Sequence, residues 1–223
     1  MTMVIAGNRG LQLLPPAALI KTGIVDHAEW NYRPLLGWIQ RLRFRLILRL
    51  LPPGRVPRML EVGYGSGIFM PELSSHCEEL FGIDVHARPS AVAGVLASYA
   101  VQAELFSGSA ESLPFEDESF DCLVAVSSLE FVRDIEAAGR EMARTLRPDG
   151  RLVMVTPGHS PLLDFGLKLM TGESARKDYD ARREELMPGL LQHFQIDRNR
   201  SFPRATGSWG LYTAFSLRKA RSA

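Results

Sequence analysis

Cysteine and histidine are scarce in this sequence, and their scarcity excludes several kinds of site. Only two cysteines, Cys77 and Cys122, occur among 223 residues, too few for a disulfide framework and too far apart for a CxxC pair. The five histidines are never four residues apart, the spacing that a helical two-histidine metal site needs. We therefore expect no metal centre.

Long apolar runs and an excess of charge of one sign are also missing. No apolar run reaches the roughly 18 residues that a membrane-spanning helix needs, and residues 1–10 lack the pattern of a signal peptide. A net charge of +1 gives no general attraction to nucleic acid. These absences predict a cytoplasmic protein with no nucleic-acid partner.

Predicted strands and helices alternate from residue 58 onward. Strands are expected at 59–62, 80–84, 104–107, 121–126 and 151–156, and two closing strands at 194–200 and 211–217. Helices are expected at 67–77, at 90–100, from the capping residue Asp134 to 146, and over most of 157–193. Such alternation is typical of a mainly parallel sheet with helices on both faces. In that architecture a ligand binds where the strand carboxyl ends meet.

The first 57 residues differ from this domain, 58–223, in composition. Residues 1–59 hold nine basic side chains and two acidic ones, and the helix expected at 34–51 carries Arg41, Arg45 and Arg49 on one stripe. Arg43 interrupts the apolar side of that helix. We interpret 1–57 as a cap whose helix either lies on an anionic membrane surface or, as we favour, docks on the domain's own sheet.

The loop after the first predicted strand reads Glu61-Val62-Gly63-Tyr64-Gly65-Ser66-Gly67. Its alternate glycines permit a sharp turn and close approach of a ligand to the backbone. A dinucleotide-binding loop, GxGxxG, would need glycine where Ile68 stands, which disfavours a nicotinamide-dependent oxidoreductase. Asp84 ends the second strand, where a carboxylate can accept hydrogen bonds from two ribose hydroxyls. The pattern indicates a nucleoside site.

These residues resemble the class I S-adenosylmethionine-dependent methyltransferases. The resemblance continues through 108–115, similar to the family's GDAExLPF segment, through 115–121, and through 144–152, which is close to LKPGG-x-L. Ser109 stands where the family usually has Asp, so one hydrogen bond to adenine lacks charge assistance. The resemblance implies a Rossmann-like, seven-stranded, mainly parallel sheet with an antiparallel last strand and helices on both faces.

The family likeness also implies a cofactor and a set of residues that contact it. The cofactor would be S-adenosyl-L-methionine, whose amino group Glu61 helps to orient, and the reaction would be methyl transfer. The implied contacts are Glu61, Gly63, Tyr64, Gly65, Gly67, Asp84, Val85, Ser109, Ala110, Glu111, Ser127 and, from the lid-like segment before the first helix, Tyr32.

The acceptor is predicted as a small or lipid-like molecule. The N/D-P-P-Y/F/W turn of nucleobase amino-methylation is absent, and neither cysteine has the surroundings of an activated nucleophile. Residues 157–193 are expected to form a helical insertion on the acceptor side. Where a general base is needed, His159 and Glu130 are the candidates. A protein or RNA methyltransferase, and a cofactor-binding protein without catalysis, remain alternatives.

Overall fold

A computed structural model describes residues 6–8, 10–23, 26–158, 177–203 and 210–220, without the side chains of 6–8 and 177–183. Its strands are β1 (Ala6–Asn8), β2 (Leu11–Leu13), β3 (Val56–Val62), β4 (Cys77–Asp84), β5 (Glu104–Ser107), β6 (Phe120–Val126), β7 (Leu146–Pro157), β8 (Phe194–Phe202) and β9 (Tyr212–Lys219). Its α-helices are α1 (Pro34–Leu48), α2 (Met70–Leu73), α3 (Pro89–Ser98), α4 (Ile135–Thr145) and α5 (Lys177–Leu191).

Seven strands form one sheet in the order β5-β4-β3-β6-β7-β9-β8. Strands β3 to β7 pair in parallel, and β9 is antiparallel to both β7 and β8. The chain begins this sheet at its middle, runs outward to β5 and returns to β6 beside β3. The order therefore reverses between β3 and β6, where such sheets bind their ligands. The predicted fold class is confirmed.

The middle strands are apolar because both of their faces are buried. Along β6, Cys122 and Val124 face the core beneath α1, while Leu123 and Ala125 face the core beneath α4. The continuous apolar run of β6 is the pattern that a parallel strand with two covered faces requires. Two packed layers of helices thereby hold the strand ends at one edge.

Helix α1 docks on the sheet, the favoured one of its two predicted arrangements. Its buried residues include Leu42, Phe44 and Ile47, which belong to the core on that face. On its outer side, Leu35 and Trp38 are 69% and 43% exposed. Among the residues described, no helix has the length and apolar character needed to span a membrane.

Three segments differ from the sequence-based expectation. The helix expected at 67–77 is only α2 and a following 3-10 turn, because the Ser74 and Ser75 hydroxyls donate to the carbonyl groups of Pro71 and Glu72. Strand β7 begins at Leu146, earlier than the expected residue 151. The N-terminal arm contains the antiparallel pair β1–β2 and a 3-10 turn, although no strand is expected before residue 59.

Candidate functional site

A cavity of about 790 Å³ opens at the carboxyl-terminal edge of the sheet. That volume lies in the range of small-ligand sites. The loops after β3, β4, β5 and β6 form one side of it. The segment before and within α1 forms another wall, made of Thr22, Gly23, Asp26, His27, Ala28, Trp30, Gln40, Arg43 and Phe44.

The glycine loop brings the turns after β3 and β6 into direct contact. Gly63 has a φ of +80°, and a Cβ there would overlap the Cβ of Ser128 and lie 2.8 Å from its Oγ. The Ser128 hydroxyl donates to the carbonyl oxygen of Val62 at 2.6 Å. Only glycine combines this left-handed conformation with so close an approach.

Asp84 holds the glycine loop in place from the end of β4. Its Oδ2 accepts a 2.8 Å hydrogen bond from the Gly65 amide, and its Oδ1 accepts one from the His86 amide at 3.3 Å. His86 Nε2 lies 3.0 Å from the Gly65 carbonyl oxygen. Each carboxylate oxygen has a second lone pair free, so Asp84 can fix the loop and still accept from a ligand. Val85, 79% exposed, lies on the cavity rim.

Glu61 is a buried carboxyl group in the cavity wall. It is 3% exposed, and burial, followed by the nearby Asp84 charge, raises its pKa well above the usual value, while Arg43 opposes the shift. Its Oε2 has no hydrogen-bond partner within the described part of the chain. A cationic ligand group beside it would favour the ionised form.

The loop after β5 supplies Ser109, Ala110 and Glu111 to the cavity wall. Glu111 Oε1 accepts from the amides of Arg133 and Asp134 at 3.0 Å each, and Oε2 lies 3.3 Å from Ser109 Oγ. The Asp134 amide is the main reason why the pKa of Glu111 is lowered. Glu111 thus ties this loop to the start of α4, and Ala110 offers backbone and Cβ to the cavity.

Ser127 and Tyr64 also line the cavity. Ser127 follows β6 with a φ of +51°, and its buried Oγ has no partner among the described residues. A non-glycine residue in this conformation is a form of backbone strain that concentrates at functional sites. The ring of Tyr64 meets that of His86 edge-on, with centroids 4.9 Å apart.

Two predicted contact residues do not belong to the cavity lining. Gly67 faces α3 instead, where an added Cβ would lie 3.0 Å from Val92 Cγ1. The Tyr32 hydroxyl donates to the carbonyl oxygen of Leu14. Trp30, in the same 3-10 turn as Tyr32, lines the cavity.

Of the two candidate bases, the structure describes Glu130 but not His159. Glu130 is 1% exposed in a 3-10 turn whose neighbours Leu129 and Phe131 line the cavity, while Glu130 itself does not. His159 lies outside the described residues. Of the expected insertion 157–193, helix α5 is described, and 159–176 are likewise outside.

Sequence reasoning missed Arg43 and Tyr212 as site residues. Arg43 lines the cavity from α1, and the available signal was its position on an otherwise apolar helix face. Tyr212, 5% exposed, enters the wall from the first residue of β9. Burial raises the pKa of Tyr212, Arg43 opposes that shift, and Glu130 adds to it. The charges of Arg43 and Glu130 therefore both act on the Tyr212 hydroxyl.

Four buried polar atoms of lining residues have no hydrogen-bond partner in the portion of the chain described: Arg43 Nε, Glu61 Oε2, Ser66 Oγ and Ser127 Oγ. Buried polar atoms are normally partnered, so these atoms mark a cavity built for a polar ligand. With the Asp84 carboxylate at the end of β4, where an acceptor for ribose hydroxyls is expected, they fit the predicted nucleoside cofactor. The glycine loop leaves room for it.

Residues 60–154 match the family model described as "Methyltransferase domain". Demethylmenaquinone methyltransferase of Roseiflexus castenholzii is 36% identical over 120 residues, covering 52% of this chain and 50% of that protein. The uncharacterized methyltransferase YcgJ of Bacillus subtilis is 35% identical over 111 residues, covering 48% of this chain and 44% of YcgJ. The chain thus spans about half the length of these relatives.

Solved structures share the fold. The N-methyltransferase NodS of Bradyrhizobium japonicum, in complex with S-adenosyl-L-homocysteine, superposes with a TM-score of 0.61 at 19% identity, covering 90% of this chain and 95% of NodS. The [4+2]-cyclase SpnF gives a TM-score of 0.62 at 19% identity, covering 82% and 81%. These structures confirm the predicted fold, and the family match together with the ligand of NodS supports the predicted S-adenosylmethionine cofactor. Residues 60–154 thus match a methyltransferase domain, and over that part of the chain the predicted resemblance to the class I S-adenosylmethionine-dependent methyltransferases is confirmed.

Proposed function

We propose that this protein transfers a methyl group from S-adenosylmethionine to a small, largely apolar acceptor. The observation that carries the proposal is one cavity with two unlike walls. Among the lining residues, the glycine loop, Glu61 and Asp84 make up a polar wall. The apolar wall consists of Trp30, Phe44, Phe131, Pro157 and Tyr212. A polar nucleoside and an apolar acceptor would meet between these walls.

The polar wall supplies the contacts that hold the donor. Asp84 accepts from the ribose hydroxyls while it fixes Gly65, Ala110 borders the adenine, and Glu61 accepts from the donor ammonium group. When bound, the cofactor supplies an electrophilic sulfonium methyl group. An electron pair of the acceptor would form the new bond to that methyl carbon while the carbon–sulfur electron pair returned to sulfur. Fixing the two reactants in line supplies much of the acceleration.

The apolar wall favours a flat, apolar acceptor. Trp30, Phe44, Phe131 and Tyr212 line the cavity together with Pro157, and aromatic side chains stack well on planar rings. The Roseiflexus relative is named for a demethylmenaquinone substrate. We therefore propose a quinol-like ring as the acceptor class. Because such a ring loses a proton on methylation, Glu130 and His159 stay as candidate bases.

The N-terminal segment serves in this proposal as a cover for the donor. The cavity is lined by six residues of this segment: Thr22, Gly23, Asp26, His27, Ala28 and Trp30. The Asp26 carboxylate would lie 3.9 Å from a Cβ placed on Gly65. Asp26 holds the segment in shape by accepting hydrogen bonds from Thr22 and Ala28. A cover of this kind excludes water from the reacting groups.

A second function is cofactor binding without methyl transfer. The specific observation is that SpnF, a cyclase, shares this fold, and a fold by itself does not determine the reaction. In that case the donor site would form normally, while no acceptor would gain a methyl group.

Two measurements test the proposal. Isothermal titration calorimetry should show saturable binding of S-adenosylhomocysteine, and absence of binding would refute a donor site. Purified protein is then incubated with methyl-labelled S-adenosylmethionine and a reduced naphthoquinone that lacks its ring methyl group, with RNA and a protein extract in parallel. Label in the extracted quinol supports the proposed acceptor. Label in RNA or protein alone contradicts it, and binding without label in any fraction favours the second function.

A further inference from the structure

We infer that the start of helix α1 and the end of strand β8 form a contact surface for an anionic lipid membrane. This surface, called the α1–β8 surface below, consists of the apolar residues Leu35, Trp38 and Phe202 and the basic residues Arg33 and Arg200. Docking of α1 on the sheet buries other residues of the helix and leaves Leu35 and Trp38 exposed. The inference goes beyond the proposed function, whose apolar acceptor gives the contact its purpose.

The apolar part of the surface joins the helix to the edge of the sheet. Leu35 and Trp38 are exposed, and the Trp38 ring meets the partly buried ring of Phe202 edge-on, with centroids 5.7 Å apart. Strand β8 is the last in the order of the sheet, so these rings lie at its edge. Tryptophan is enriched where a membrane meets water, and an exposed leucine is stabilised by entering the acyl region.

Exposed arginines flank this apolar part. Arg33 immediately precedes α1, and Arg200 lies two residues before Phe202 on β8. Arg200 pairs with Ala214 and Phe202 pairs with Tyr212 across the two strands, and both partners belong to the core beneath α1. Because directly paired residues of antiparallel strands have their side chains on the same face, Arg200 and Phe202 face the side of the sheet on which α1 lies.

The charge around the α1–β8 surface is mostly positive. From residue 30 to residue 60 the chain has seven arginines and no acidic residue. The one acidic residue of β8, Asp197, has a side chain only 17% exposed and forms ion pairs with Arg151, Arg198 and Arg218. Positive charge beside exposed apolar side chains matches an anionic leaflet, in which phosphate groups overlie acyl chains.

The α1–β8 surface also adjoins the cavity. Trp38 contacts Phe202, Phe202 pairs with Tyr212 across β8 and β9, and Tyr212 lines the cavity. These three aromatic residues connect the exposed surface to the apolar wall. An apolar acceptor dissolved in a bilayer would reach the cavity along this connection without passing through water.

Sedimentation with lipid vesicles tests the inference. The wild type should sediment with vesicles of equal parts of phosphatidylglycerol and phosphatidylcholine, less so at high salt, and should stay in solution with phosphatidylcholine alone. The double variant Arg33→Gln/Arg200→Gln should bind the anionic vesicles about 30-fold more weakly, because each arginine near such a surface contributes about fivefold. Leu35→Ser, which leaves the charge unchanged, should weaken binding about tenfold.

Arg140→Gln and Leu191→Ser are the matched controls. They change an exposed arginine on α4 and an exposed leucine on α5, and these two helices pack on the opposite face of the sheet. Neither control should change vesicle binding. Urea unfolding of each variant, compared with that of the wild type, verifies that a loss of binding does not come from a loss of folding.

The inference is overturned if the wild type does not bind anionic vesicles, if the double arginine variant binds as well as the wild type, or if a control weakens binding as strongly. Size-exclusion chromatography tests a second copy of the chain as the occupant: a wild-type dimer that Leu35→Ser dissociates would also overturn it. The vesicle assay contains neither donor nor acceptor. Its failure therefore leaves the proposed methyl transfer standing, and failure of methyl transfer leaves the membrane contact standing.

Discussion

Replacing Asp84 by Asn tests its expected hydrogen bonds to the ribose of a ligand separately from its hydrogen bond to the glycine loop. Asn keeps an oxygen that can accept from the Gly65 amide, the 2.8 Å bond that holds the glycine loop. It replaces the second oxygen by an NH₂ group, which cannot accept from a ribose hydroxyl. It also removes the negative charge that strengthens both hydroxyl contacts. The substitution therefore keeps the Gly65 bond, gives up the 3.3 Å bond from the His86 amide and weakens the nucleoside site.

The expected loss follows from those two changes. A hydrogen bond to a charged group contributes about 1.5–3 kcal/mol. In Asp84→Asn one such bond to the ribose is lost and the second is made to a neutral oxygen. We therefore expect the binding free energy to weaken by about 2–3 kcal/mol, which raises Kd roughly 30- to 150-fold. The loss should be equal for S-adenosylhomocysteine and 5′-methylthioadenosine, because both carry the ribose. Asp84→Ala should lose as much affinity and, in addition, about 1 kcal/mol of stability, since the Gly65 amide loses its acceptor.

Calorimetric titration of both ligands measures the affinities, and urea unfolding measures stability. Asp149→Asn is the matched control, because Asp149 is an exposed acidic residue outside the cavity lining. Affinity of Asp84→Asn within threefold of the wild type, with the control unchanged, would refute the assignment of Asp84 to the ribose.

Three further predictions concern the packing and stability of the fold that holds the site. Gly63→Ala should lower the free energy of unfolding by about 2–4 kcal/mol, because alanine would adopt a left-handed φ and its Cβ would overlap Ser128. Urea unfolding should show that the double variant Gly63→Ala/Ser128→Gly recovers part of this loss. No recovery would contradict the overlap. Hydrogen bonds from Arg144 lower the pKa of Glu141 below its ordinary 4.5. The ionised Glu141 therefore stabilises the fold above pH 4.5, and this stabilisation declines as the pH falls through the lowered pKa. The difference in unfolding free energy between the wild type and Glu141→Gln should narrow on acidification, and a constant difference would contradict the prediction. Burial raises the pKa of Cys77 to about 11 and raises that of Cys122 further. A thiol reagent at pH 8 should therefore label neither cysteine in the native protein and both cysteines in urea. Rapid labelling of the native protein would show that the two thiols are not buried.

Much of the sheet could be predicted because the sequence patterns that indicate its strands and helices are local. The strand expected at 104–107 is β5 itself, and Asp134 caps α4 as expected by accepting from the Ala137 amide at 2.9 Å. Apolar periodicity and capping residues act over a few positions, so they are visible in the sequence. Glu61, Gly63 and Asp84 line one cavity for the same reason, since each lies at the end of a recognisable strand.

The remaining features depend on contacts between distant parts of the chain. Glu111 accepts from two amides at the start of α4, and nothing in its own segment indicates that partner. Arg43 and Tyr212 meet the cavity from α1 and β9, elements whose positions follow from sheet order and helix docking. Periodicity identifies which face of an element is buried, but not which other element covers it.

The two walls of the cavity have different origins in the chain, and this difference explains why one could be predicted and the other could not. The polar wall comes from successive loops after β3, β4 and β5, so its residues follow one another in sequence with regular spacing. The apolar wall is assembled from α1, the turn after β6 and the start of β9, which only the reversal of strand order brings together. Substitutions in the apolar wall can therefore alter the acceptor while the donor contacts stay in place. Arg43 is the exception, because it lines the cavity from α1 while its charge acts on Glu61 of the polar wall. A change in how α1 docks would therefore affect both walls.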